Sequence, residues 1–396
     1  MFRDPDRSPL RDVAGWYCRH GRGSFCPREP AVSSHRSPHR TQGSVPRSTA
    51  DAPELQAQDT APNVGWTSMR MPSYTAPVPP RVLMVTGACL PDTQRRLIDG
   101  RFAEVIEIVS PLNPEDIFSR AGNVTDYILG GPEYIDAASL SRMPELRRIA
   151  LLGTGIPSFI DEAAARQRNI AVFNTPHVNA DSVAEFALGT IIVNAADAIA
   201  SAEGVRQGSH WLQTPWRTLQ DSRIGIIGLG HIGQALTRRL AALGVRDIVY
   251  ASRTRKPALE REYGVCFMPM RAMVAECHVV SMHVNYSQET HHLFDAAMFS
   301  ACRPDLRLHC FSNPLTIDPA AARRALEDGQ VAQLYLDGYY REWTSNAGKT
   351  QDPEGFLTLP YSKFMATSHL AAQSVDAIGR QLPMALRHLI DDVQNE

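Results

Sequence analysis

Apolar and polar positions alternate along the chain in two different periods. Short apolar runs with strand character occupy residues 82–85, 105–109, 127–129, 149–152 and 170–173. Helical spacing fills the gaps at 91–102, 137–145 and 161–167. Short apolar strands separated by helices join only through crossover connections, which predicts a parallel sheet. A long helix is expected over 182–207, opened by Ser182 and Glu185 at the S-x-x-E spacing of a capping box. A second α/β alternation runs from residue 223 to about 363, and a closing helix covers 374–393. No internal repeat is present at solenoid periods.

Residues 1–78 do not share this patterning. Twelve of the 28 prolines precede Arg81, among many Ser, Arg and His residues. Such a stretch cannot bury enough apolar surface to offset its chain entropy, so a disordered tail is expected. A partner-binding arm is the other reading, and Met69 or Met71 is a candidate start.

The densest chemical signal lies at the head of the second alternation. The apolar run 224–227 leads directly into Gly228-Leu229-Gly230-His231-Ile232-Gly233. A helical pattern over 234–243 and a strand over 248–250 follow. Gly228 suits a tight turn, Gly230 a close approach of backbone to a pyrophosphate, and Gly233 close helix–strand packing. The helix N-terminus offers unpaired N–H groups to the phosphates. His231 and Ile232 therefore join the three glycines as candidate cofactor-binding residues. A glycine turn that only packs a helix on a sheet is the bland alternative, but the flanking strand and helix meet the motif's structural context.

An acidic residue at the end of the second strand would select NAD. The chain instead reads Tyr250-Ala251-Ser252-Arg253-Thr254-Arg255-Lys256. Ser252, Arg253 and Thr254 can hold a 2′-phosphate with charge assistance, which favours NADP(H) and leaves NAD(H) possible. An exposed basic loop is the alternative.

Bulk properties narrow the remaining classes. A formal net charge of −2 gives no reason to expect nucleic acid or an anionic membrane as the partner. The longest apolar stretch, 186–200, is interrupted by Asn194 and Asp197 and is read as a buried helix, short of the ~18 to 20 apolar residues of a span. Seven scattered cysteines without a Cys-x-x-Cys argue against a disulfide framework or a zinc site, and for the cytoplasm. The N-terminus lacks the apolar segment of a secretory signal. It is Arg- and Ser-rich like an organellar transit peptide, but Asp4, Asp6 and Asp12 oppose that reading.

Five blocks in order resemble the D-isomer-specific 2-hydroxyacid dehydrogenases. They are Leu152-Gly153-Thr154-Gly155 through Ile160-Asp161, Asn179 to Glu185, Gly228 to Gly233, His283-Val284-Asn285 with Glu289-Thr290, and Ser368-His369-Leu370-Ala371. The resemblance spans residues 81 to about 393. It implies a Rossmann dinucleotide-binding domain, about 182–363, inserted into a flavodoxin-like α/β substrate domain built from 81–181 and 364–396. It implies a homodimer acting on a small 2-keto or 2-hydroxy acid. His369 would be the acid/base, and an imidazole suits that role because its pKa lies near working pH. Backbone N–H groups around Thr154, Gly155 and Ile156 would hold the substrate carboxylate. His283 and Asp337 would line the cofactor cleft.

The chain departs from this family twice. Where the family has an arginine five residues before an Asp, here Asp318, the chain has Asn313 followed by Pro314. Where the family pairs its histidine with a Glu shortly after an Asp, here Asp337, the chain has Tyr340. Tyr340 can hydrogen-bond an imidazole but cannot supply the charge that raises its pKa. Arg341 and Glu342 are nearby candidates to substitute. Losing one donor to developing negative charge costs about 3 to 4 kcal/mol. Three readings follow: a reductase of small 2-keto acids, a catalytically impaired dinucleotide-binding or sensing protein on the same fold, and different chemistry using Tyr340 or Arg341.

Overall fold

The computed structural model describes residues 80–109, 112–208, 215–340 and 351–391. The expectations for the N-terminal 78 residues, for Arg341 and Glu342 and for the last five residues lie outside that set. The described chain forms two parallel sheets. The first has five strands, β1 (Val82–Thr86), β2 (Glu104–Ile108), β3 (Asp126–Leu129), β4 (Arg148–Leu151) and β5 (Ala171–Asn174), in the order β2-β1-β3-β4-β5. This is the flavodoxin-like arrangement.

The second sheet has seven strands: β6 (Ile224–Ile227), β7 (Ile248–Ala251), β8 (Cys266–Phe267), β9 (Val279–Met282), β10 (Arg307–Cys310), β11 (Gln333–Asp337) and β12 (Phe364–Thr367). Their order is β12-β11-β10-β9-β6-β7-β8. Numbered within the sheet this is the Rossmann order with one strand added, and the switch point falls between β6 and β9, beyond the end of β6. Parallel sheets are covered on both faces, so their strands are apolar throughout. Accordingly β1, β3, β6, β7 and β9 are wholly buried.

The chain leaves the first sheet after β5, builds the second, and returns through the helix Val375–Asp391. Leu382, Leu386 and Leu389 of that helix pack with Leu83, Val85, Ile128 and Ala150 of the first sheet. The return comes later than the boundary expected at residue 364. Residues 364–367 pair with β11 as β12, so the crossing follows Thr367.

Several helices also differ from expectation. The first is short, Asp92–Leu97. The helix expected over 182–207 begins at Ala180 behind Asn179 and divides into Ala180–Ala195 and Ala198–Arg206, bent by 59°. Ser182 forms no capping box, because its hydroxyl donates to the Ala371 carbonyl at 2.7 Å. The break lies at Asp197, whose φ of 49° is left-handed and whose carboxylate takes a two-point ion pair from Arg307 of β10. Among the described residues no single helix is long and apolar enough to cross a membrane.

Candidate active site

The fingerprint turn is built by close backbone contact. Gly228 has a φ of 93°, and a Cβ there would lie 2.5 Å from the His283 carbonyl oxygen. A Cβ on Gly233 would lie 2.3 Å from the Gly228 carbonyl oxygen. Gly230 is different: nothing lies within 4 Å of its Cβ position. The helix begins three residues earlier than expected, as His231–Ala242 with Gly230 at its N-cap. The N–H groups of His231, Ile232 and Gly233 thus fall in its first turn, where no intrahelical acceptor exists. Open space over Gly230 beside unpaired N–H groups is the cradle a pyrophosphate requires, so these residues fit a nicotinamide dinucleotide. The exposed His231 ring lies against that of His177, tilted by 36°, with centroids 3.6 Å apart. Burial, and then the charge of His177, hold the His231 pKa below its usual value.

The ribose end lies just past β7. Arg255 is committed to Glu260, which also accepts the Tyr250 hydroxyl at 2.7 Å. The bond from Arg255, then that from Tyr250, draws the Glu260 carboxyl down to about 2. The Ser252 hydroxyl donates to the Thr254 carbonyl at 2.6 Å and closes the turn. Arg253 is 93% exposed and only 3.9 Å from Glu289, so its guanidinium is available to a ligand.

The segment carrying His369 is held from below. Asp337, at the end of β11, accepts the Thr367 hydroxyl at 2.7 Å and the Leu370 and Ala371 N–H groups at 2.9 and 3.1 Å. The Tyr335 hydroxyl pairs with that same Thr367 oxygen at 2.6 Å. Burial raises the Asp337 pKa, against the opposing charge of His369. Asp337, expected to line the cofactor cleft, thus has both carboxylate oxygens committed to this loop. His369 has a φ of 58°, and its ring lies 5.8 Å from that of Phe159. Phe159 follows directly on the short helix Ile156–Ser158 at the expected substrate-side loop. The histidine of one sheet therefore faces the substrate-side loop of the other.

That loop is held by the end of β5. Asn174 donates to the Thr154 carbonyl at 2.8 Å, and the Thr175 hydroxyl accepts the Gly153 N–H at 2.9 Å. The Ile156 N–H is already bound to the Thr154 carbonyl. Only the Thr154 and Gly155 N–H groups of the expected trio make no hydrogen bond among the described residues.

Three other expected site residues point elsewhere. His283 is buried: its Nε2 pairs with the Ser281 hydroxyl at 2.8 Å, its ring stacks on Phe311, and burial pushes its pKa down to about 3. It meets the fingerprint through its backbone carbonyl and not through its ring. Asn313 is 8% exposed, and its Oδ1 accepts from the Leu315 N–H as the cap of the turn Pro314–Thr316. Proline at the first position of that turn fits the cap, so Asn-Pro makes a compact local stop. Tyr340 is 2% exposed, packed among Tyr339, Phe356 and Phe364, with its hydroxyl on the Ile317 carbonyl at 3.3 Å. Its bond is to Ile317 and not to the imidazole.

Phe159, His177, Asn174 and Thr175 were not singled out in the sequence. Phe159 lies inside the block from Leu152 to Asp161, and its place between the quoted residues was its only signal. The other three act through a turn whose geometry no spacing reveals.

Known proteins agree with this architecture. Residues 188–371 match the sequence model of the D-isomer specific 2-hydroxyacid dehydrogenase NAD binding domain. A glyoxylate reductase of Thermococcus litoralis is 32% identical over 216 residues, covering 52% of this chain and 65% of that protein. A glyoxylate reductase of Aeropyrum pernix is 27% identical over 325 residues, covering 80% of this chain and 94% of that protein. An NADPH-dependent glyoxylate/hydroxypyruvate reductase of Sinorhizobium meliloti, solved with NADP and malonate, superposes with a TM-score of 0.62 at 24% identity. It covers 78% of this chain and 92% of its own.

Proposed function

The chain belongs to the D-isomer-specific 2-hydroxyacid dehydrogenase family, and on that premise we propose that it is an NADPH-preferring reductase of a small 2-keto acid with His369 as acid/base. The observation that carries the reading is the placement of His369 on a loop tied to Asp337, facing Phe159 of the substrate-side loop. When bound, the dinucleotide supplies the hydride. His369 holds the proton that the carbonyl oxygen receives, and Asp337 fixes the backbone on which that imidazole stands. The Thr154 and Gly155 N–H groups hold the substrate carboxylate. Arg253 supplies the cation for a 2′-phosphate, because Arg255 is already paired with Glu260. Substrate domain and dinucleotide domain divide after the β5 turn and after Thr367. Assembly as a homodimer through the helices after Asn179, in the cytoplasm, completes the proposal. Free thiols on Cys266, Cys277, Cys302 and Cys310 fit a reducing compartment.

A second reading is favoured by one observation. Asn313 and Tyr340 are both turned into the fold, so neither replaces the charged group that the resemblance places there. A dinucleotide-binding protein with little turnover follows from that. One experiment separates the two: glyoxylate, hydroxypyruvate and other 2-keto acids are assayed with NADPH and NADH, on the wild type, His369→Ala and Arg253→Ala. The reductase reading expects keto-acid-dependent NADPH oxidation that falls at least ~10²-fold in His369→Ala. It expects a preference for NADPH of about tenfold or more, which Arg253→Ala collapses. Tight NADPH binding with no turnover across the panel establishes the second reading instead.

A further inference from the structure

The turn between β5 and the helix Ala180–Ala195 contains a conformation that its residue does not favour. His177 has a φ of 71°, in the left-handed region where a side chain costs about 1 to 2 kcal/mol relative to glycine. The turn is closed by the Ala180 N–H on the His177 carbonyl at 3.2 Å. This backbone throws the exposed His177 ring onto the exposed ring of His231, centroids 3.6 Å apart and tilted by 36°. His231 is the first residue of the fingerprint helix, next to the open face of Gly230. Two imidazoles from different parts of the chain thus meet beside the cradle for the dinucleotide's two phosphates.

We propose that His177 and His231 form a two-imidazole clamp on the cofactor's diphosphate, so that dinucleotide binding is accompanied by proton uptake. This rests on the dinucleotide reading of the fingerprint. Two imidazoles this close repel when both are charged. Burial and the charge of His177 lower the His231 pKa in the same sense. An arriving diphosphate brings two negative charges and reverses that balance, so a neutral His231 takes a proton from solvent. Affinity then rises as pH falls.

The charged side chains where the two helices meet are Asp181, with Arg239 at 3.1 Å and Arg238 at 3.6 Å. Carboxylates and guanidinium groups titrate far outside the range between about pH 6 and 8. His283, behind Gly228, is pushed down to about 3 by burial and is neutral throughout that range. Of the described groups named, the two exposed imidazoles are those left beside the cradle.

The test uses ADP-ribose on the full chain. ADP-ribose carries the diphosphate but not the 2′-phosphate, whose own second pKa lies near 6. Calorimetric titration near pH 7, in two buffers of different ionisation enthalpy, reads the protons taken up directly. The wild type is expected to take up protons and to bind about tenfold more weakly at pH 8 than at pH 6. His177→Gly suits the left-handed backbone and keeps the fold, which a thermal melt checks. It is expected to lose most of the uptake and to bind several-fold more weakly at pH 6. His231→Gln is expected to do the same. If His177→Gly keeps wild-type affinity and uptake, the clamp is overturned. It is also overturned if uptake persists in both variants. If the wild type fails to bind ADP-ribose or NADPH at all, the dinucleotide reading itself falls and the clamp with it. Binding of ADP-ribose without a pH slope sinks the clamp alone.

Discussion

At the scale of single residues, two glycines that look alike in the fingerprint do opposite work. A methyl group on Gly233 would meet the Gly228 carbonyl oxygen at 2.3 Å, so Gly233→Ala should cost about 1 to 3 kcal/mol of stability. A methyl group on Gly230 meets no protein atom within 4 Å. Gly230→Ala should therefore melt like the wild type yet bind NADPH at least ~10-fold more weakly, because it fills the space the phosphates need. Parallel melts and titrations check this, and equal destabilisation by both substitutions would mean that Gly230 faces protein. Glu133 gives a second residue-scale expectation. It is buried, with Oε1 accepting the Thr86 and Tyr127 hydroxyls and Oε2 without a partner. Burial raises its pKa, and the two hydroxyls oppose the shift only in part. A carboxyl raised in the folded state favours folding while protonated. That contribution is complete below the unfolded value of about 4.3 and is lost as pH rises through the folded value. Glu133→Gln should remove this slope, so its stability relative to wild type should climb with pH in denaturant melts. A difference that does not change with pH would clear Glu133 of the role.

Among the elements, the break at Asp197 is the most informative. Helical spacing continues across it, and the sequence reads as one helix. What stops the helix is a left-handed residue held by Arg307 at 2.9 and 3.0 Å, with Gln333 as a further acceptor for the same guanidinium. Asp197→Ala loses the partly buried pair and keeps the unfavourable backbone, and should cost about 2 to 4 kcal/mol. Asp197→Gly loses the same pair but accepts a φ of 49° without strain, so it should cost about 1 to 2 kcal/mol less than the alanine. Urea melts of the two variants measure the gap, and equal values would remove backbone strain from the account. Ser182 shows the same kind of override. Its spacing to Glu185 suits a capping box, yet its hydroxyl reaches the Ala371 carbonyl beside the candidate catalytic loop.

Across the whole molecule, one buried carboxylate joins the first sheet to the end of the chain. Asp126, fully buried, takes Arg81 at 2.6 Å and Arg148 at 3.2 Å. Arg81 also donates to the Leu389 carbonyl at 2.8 Å, near the C-terminal end of the returning helix. Asp126→Ala would leave two guanidinium groups without their counter-charge and should cost about 3 to 5 kcal/mol. The loss should appear first in hydrogen exchange of the Val375–Asp391 helix, ahead of β9 in the other sheet. Unchanged protection of that helix would show that Asp126 does not anchor the return.

Residues a few positions apart determine a period, a turn or a cap, and these were readable directly. The strands, their parallel pairing, the fingerprint and the absence of an acid after β7 all followed from local pattern. So did the family resemblance through five ordered blocks. What the string of residues could not convey was which side-chain contacts the tertiary structure would select. The Asp197–Arg307 pair, the tie from Asp337 to the His369 loop, the bond of Tyr340 to Ile317, and the ring of His177 on His231 exist only once the chain is folded. Hydrogen bonds and charge pairs act over a few ångströms in space regardless of separation along the chain. They redirect groups whose local propensity leaves more than one conformation open, and it was those contacts that decided which candidate residues face the cleft.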